Sequence, residues 1–226
     1  MQNKIDLENL SAEEKYIVLY AIAKNATKDY DFNNVVPINR IIRDCGIELS
    51  AWPMPGKVLL HDNLAESKKT DGKWVIYVNY RVLHLLSGRY AITREFAGYL
   101  MDSVGISCEK ETHAYLYFPL AVEWRNVLTS FLTFPFCRVV KLLREFSKDE
   151  YLTEDDWIGY LTHVMEATFY HAILCYQDIR NLAAALFQCK EGGISDEVSK
   201  FLVDLNVTLE DEFRIIEENS DLFQKN

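Results

Sequence analysis

The residues best placed to do chemistry lie in two short stretches, "TREFAGYLM" (Thr93 to Met101) and "CEKETHAYLYFPLAV" (Cys108 to Val122). Side chains four apart on a helix leave from one face, so two imidazoles at that spacing share one metal ion. A carboxylate directly after the first ligand then stands beside the metal and takes a proton from its bound water. A further ligand from a neighbouring helix and an open position for water complete such a site. Here those three places hold Arg94, Glu95 and Gly98. A guanidinium is protonated at any usable pH and offers a metal no lone pair, and Gly98 has no side chain. No zinc and no catalytic residue are therefore expected, and the trio reads as a relic site. The bland alternative is that Arg94 and Glu95 are exposed helix charges. Downstream stand Glu109, Glu111 and His113, with His113 one helical turn beyond Glu109 on the same face. Glu95, Glu109 and His113 make a rearranged zinc set as an alternative, because carboxylate and imidazole both suit zinc.

These residues need elements to hold them. Ser11 with Glu14 forms a capping box that opens an apolar helix to about Lys24. Pro37 and Gly46 bracket a second helix with Ile38, Ile41, Ile42 and Cys45 on its apolar face. "IELSAW", "KVLLH" and "KWVIYVN" read as strands of a small sheet within residues 47–79. A helix ending at Gly105 carries the relic trio, and another is expected from about Cys108, with Pro119 interrupting it. Thr153 with Asp156 caps a helix predicted to reach Cys189, and Ser195 and Thr208 cap two more. The order of elements predicts α+β: a domain with a small sheet over residues 1–125, then an all-helical region over 126–226.

Taken in order, "VPINRIIRDCGIEL", "WVIYVN", "GRYAITREFAGYLM" and "CEKETHAYLYFPLAV" resemble the ImmA/IrrE family of metallo-endopeptidases, over roughly residues 35 to 122. Against that family's "RFTIAHELGHYLL", the residues Arg89, Tyr90, Ile92, Glu95, Tyr99 and Leu100 match or nearly match; Arg94, Ala97 and Gly98 depart. The resemblance implies a zincin-like fold. It places the family's glutamate ligand on Glu109 or Glu111, and the motif leaves both open. It also implies that Arg94 stands where the metal was and neutralises one of those carboxylates, since a buried acid without its metal needs a counter-charge. Family members often cleave or bind helix-turn-helix repressors and so control phage-like or stress genes. For this chain the resemblance implies that class of role without the cleavage.

Composition bounds the rest. A formal net charge of -10 disfavours nucleic acid and anionic membrane, both of which attract basic surfaces. The N-terminal "MQNKIDLENLSAEEK" lacks the apolar core of a secretory signal, and no apolar run has the length of a membrane span. Five scattered cysteines without a CxxC pair fit reduced thiols, so a cytoplasmic protein is expected. His163 and His171 are two helical turns apart, too far for one metal, and read as structural. From Lys190 onward ten acidic residues face four basic ones: a solvated face, or a docking surface for a basic partner. Arg138, Lys141 and Arg144 form a basic stripe expected to cover those acidic helices. Three functions follow. The first is an inactive peptidase relative that binds a protein partner such as a repressor and needs no cofactor. The second is an active metallo-endopeptidase with relocated ligands, and the third a helical scaffold. An open cleft around Glu95 favours the first over the third, and a filled one the reverse.

Overall fold

The structure, a computed structural model, describes residues 5–52, 64–106, 124–148 and 153–224 of the 226. Among them are ten α-helices and one three-stranded sheet, an α+β arrangement. Helix α1 (Ala12–Thr27) starts at the expected capping box: Ser11 accepts from the Glu14 amide at 3.1 Å, and Glu14 returns the bond at 3.2 Å. Ile17, Val18, Leu19 and Ala21 are all buried, so the helix is apolar on every side and runs through the core. It packs on α4 (Trp124–Thr133), α7 (Phe169–Gly192) and α8 (Asp196–Asp204). One cluster of buried residues thus includes the N-terminal helix and the C-terminal ones.

Helix α2 (Ile38–Asp44) stops at Gly46, whose φ of +74° a side chain would resist. It leads into β1 (Glu48–Trp52), which pairs parallel with β3 (Lys73–Asn79). On the other side of β3 lies β2 (Ala65–Thr70), antiparallel, so the order is β1-β3-β2. Asp71 and Gly72 join β2 to β3 with φ of +52° and +81°, the two positive angles of a type I′ hairpin turn. Strand β2, "AESKKT", was not expected: it lacks β-branched runs and alternation, and only pairing with β3 makes it a strand. The expected strand "KVLLH", with His61, lies outside the described residues.

Helix α3 (Leu86–Ser103) buries Ile92, Phe96, Ala97, Leu100 and Met101 and lies against β2 and β3, with Tyr99 edge-on to Trp74 at 5.7 Å. Pro135 separates α4 from α5 (Phe136–Phe146), and the two axes differ by 63°. The helix expected from Thr153 to Cys189 is two: α6 (Glu154–Val164) and α7. Glu166 turns the chain with a φ of +52°, and Thr168 caps α7 by accepting from the His171 amide. Helix α7 extends to Gly192, so the loop begins at Gly193, later than "EGG" suggested. Helix α8 starts at the expected Ser195 cap. The next, α9 (Glu210–Glu218), is preceded by Leu209 with no side-chain cap, so Thr208 does not cap it; α10 (Ser220–Gln224) follows. Among the described residues no single helix is long and apolar enough to cross a membrane.

Candidate functional site

Glu95 is buried, not an exposed helix charge: its side chain is 10% exposed. Three elements hold its carboxylate. From β2, Ser67 gives Oε2 two bonds, from its amide at 2.9 Å and its hydroxyl at 2.7 Å. That amide is on the edge of β2 turned away from β3, as the alternation set by the Asn79–Leu64 bond requires. From α4, the Arg125 guanidinium reaches Oε1 at 2.7 Å. Arg94 stands farther off, its Nη1 3.9 Å from the same oxygen. Both carboxylate oxygens already accept hydrogen bonds, Oε2 two from Ser67 and Oε1 one from Arg125.

Gly98 explains how Arg125 gets there. A Cβ built on Gly98 would lie 2.9 Å from Arg125 Nε and 3.0 Å from its Cζ. The guanidinium lies flat against the bare helix backbone, and Nε donates to the Arg94 carbonyl at 2.8 Å. Arg125 thus fills the volume that a side chain at position 98 would need. A glycine inside a helix costs about 1 kcal/mol against alanine, and close approach of another group is the usual reason for it. That signal was present in the sequence, but nothing there named Arg125 or Ser67 as the partners.

Arg94 is drawn to α4 as well, with Nε donating to Asn126 Oδ1 at 2.8 Å. Glu109, Glu111 and His113 lie outside the described residues, and with them the expected Arg94 pairing and the rearranged zinc set. Among the described residues no group of three or more His, Cys, Asp or Glu is placed to hold a metal ion. The neighbouring motif residues Arg89 and Tyr90 are structural. The Arg89 guanidinium donates to the Met165 and Glu166 carbonyls at 2.7 and 3.2 Å, satisfying the end of α6. Tyr90 stacks on His171 of α7, ring centres 3.6 Å apart. Burial pushes the His171 imidazole down to about 4, so it is neutral there.

Two further polar clusters were not foreseen. Glu212 of α9, 1% exposed, accepts from Tyr20 at 2.6 Å and from Lys24 at 2.7 Å on both oxygens. Cys137 lies 3.6 Å from it, its thiol pushed up to about 12 by burial and by the Glu212 charge. Asp178 of α7 accepts from Ser130 at 2.6 Å, and burial raises it to about 6. Of the basic stripe, Arg144 meets Asp221 at 2.6 Å, as expected for cover of the acidic helices, whereas Arg138 bonds Asn34. Cys45, placed by its spacing on the apolar face of α2, is exposed. The chain matches no protein-family model, no curated protein and no solved structure.

Proposed function

We propose that this chain is a catalytically inactive relative of the ImmA/IrrE metallo-endopeptidases, with a zincin-like domain, that acts in the cytoplasm by holding a protein partner. A helix-turn-helix repressor or another product of a mobile element is the partner class that the resemblance implies. One observation carries the inactive part: Arg125 lies over Gly98 and pairs with Glu95. A fixed positive charge where a divalent cation would sit repels that cation, and it occupies Glu95, the carboxylate of the α3 part of the motif. The same filled volume supports a second reading, a helical scaffold, since the partner then gains no room above Gly98. The two separate on whether a partner is bound at all. For the inactive reading, the tag-free protein is loaded with zinc and dialysed exhaustively, and its metal content is measured. The expected result is no retained zinc. About one zinc per chain, lost on Glu95→Gln, would overturn the reading.

A further inference from the structure

One member of the basic stripe has no acidic partner. Arg138 bonds Asn34 and Arg144 bonds Asp221, but Lys141 makes no ion pair among the described residues. It stands instead at a cavity of about 440 Å³ between α5 and α9. Side chains three and four apart leave one face of a helix, and α5 turns Cys137, Val140, Lys141 and Arg144 to this space. Lys148, two residues past the end of α5, lines it too and likewise makes no ion pair among the described residues. Ile215 faces them from α9. Cys137, Val140 and Ile215 make an apolar floor, and the lysine stems extend it. The walls are pinned at two places. Next to Cys137, Glu212 of α9 is held by Tyr20 and Lys24 of α1. Farther along α5, Arg144 meets Asp221 of α10, and Phe136 stacks on Phe223 with ring centres 6.5 Å apart. Contacts of this kind preform a space, as is usual for small-molecule sites.

Charge and size select the occupant. The lining side chains supply three cations, Lys141, Arg144 and Lys148, and one carboxylate, Glu145. Arg144 is paired with Asp221, and Glu212 beside Cys137 is paired with Lys24. Glu218, exposed next to Asn219 on α9, does not line the space. Two lysines against one glutamate leave the cavity locally positive in a chain of net charge -10. An anion therefore gains a counter-charge there, and a cation meets two like charges. The volume lies within the range of about 300–1,000 Å³ of small-molecule sites. A specific protein interface instead takes about 20–30 residues a side. We infer that the α5–α9 cavity is a binding site for a small amphiphilic anion, a carboxylate on an apolar chain or ring. Its apolar part lies over Val140 and Ile215, and its carboxylate meets Lys141 or Lys148. This site is separate from Glu95, and the inference rests neither on the inactive reading nor on a protein partner.

The test is titration calorimetry of the full chain with octanoate, and with acetate and octyltrimethylammonium as controls. Acetate keeps the head without the tail, and octyltrimethylammonium keeps the tail with the opposite charge. Octanoate is expected to bind at one site with a Kd below about 1 mM, and both controls at least about tenfold more weakly. Added salt should weaken octanoate binding, because the lysines are exposed. Lys141→Gln with Lys148→Gln should weaken it by about tenfold while the thermal midpoint stays put. Lys28→Gln with Lys200→Gln makes the same change of net charge at exposed places elsewhere, and should alter binding by less than about twofold. No octanoate binding in that range overturns the proposal. So does equal binding of octyltrimethylammonium, or equal loss in the two lysine double variants, since the site is then not this cavity. Binding of a polyglutamate peptide that needs Lys141 and Lys148, without binding of octanoate, gives the cavity to an acidic protein and overturns it as well.

Discussion

Two buried carboxylates in this chain are built from the same parts and mean different things. Glu95 has a hydroxyl from Ser67 and a cation from Arg125; Glu212 has a hydroxyl from Tyr20 and a cation from Lys24. Glu95 lies in a stretch whose spacing looks like chemistry, and its partners come from β2 and α4. Glu212 lies in an acidic helix whose spacing looks like a solvated face, and its partners both come from α1. Each joins elements that are far apart in sequence. The comparison teaches that a buried, satisfied carboxylate is a structural joint until a free lone pair and a space for substrate are found beside it. At Glu95 the volume over Gly98 is taken by the Arg125 guanidinium.

That comparison can be broken most easily at Glu212. Lys24→Met leaves a carboxylate buried at 1% exposure without its cation, and about 3 kcal/mol of stability should be lost. Urea denaturation reads this, and an unchanged midpoint would show that the pair is not a joint. Arg125→Met should cost less, about 2 kcal/mol, because Ser67 still gives Glu95 two bonds. Adding Glu95→Gln should restore part of that loss, so a double-mutant cycle returns a clear coupling energy. Additive effects would mean that Arg125 is held by the Arg94 carbonyl alone.

Gly98→His sharpens the point about volume. In the native chain an imidazole at 98 must expel the guanidinium, so the substitution should destabilise by about 1–2 kcal/mol. In an Arg125→Ala background it should be nearly neutral. The same cost in both backgrounds would show that Arg125 does not fill that place.

The smallest effects concern pH, and they have opposite signs. Asp178 is raised from 3.8 to about 6 by burial, so the folded protein holds a proton that the unfolded chain has released. Its stabilising effect is full below pH 3.8 and is lost as pH rises through about 6. His171 is lowered from 6.5 to about 4, so the unfolded chain binds the extra proton, and stability is lost as pH falls through that window. The two slopes partly cancel in the native chain. Asp178→Asn should therefore make stability rise more steeply with pH between 4 and 6, and His171→Phe, which keeps a ring against Tyr90, should make it fall. Thermal midpoints across that range check both, and parallel curves for the three proteins would refute the assignment.

Local rules were legible where one short segment contains its own reason. The Ser11 and Thr153 capping boxes, the Gly46 stop, the "DG" turn and the "KWVIYVN" strand all follow from residues within a few positions of each other. What failed was non-local. Strand β2 exists because β3 offers it a partner, and the break at Glu166 is held by Arg89, 77 residues earlier. The relic trio was legible as a departure, since Arg94 and Gly98 are visibly not ligands. Its outcome was not, because the group that fills the place comes from Arg125 on another helix.

The sequence by itself determined which residues are able to bind a metal and which are not, where most helices begin, and that β3 is a strand. These are properties of single side chains and of bonds between near neighbours, so they are written in local order. Only the tertiary structure decided that Glu95 is buried, that Gly98 is the seat of a guanidinium, that Glu212 fastens α9 to α1, and that Tyr90 of α3 stacks on His171 of α7. Each depends on close packing of chain segments tens of residues apart or more. A carboxylate's spacing in sequence does not say which cation will lie against it in the fold.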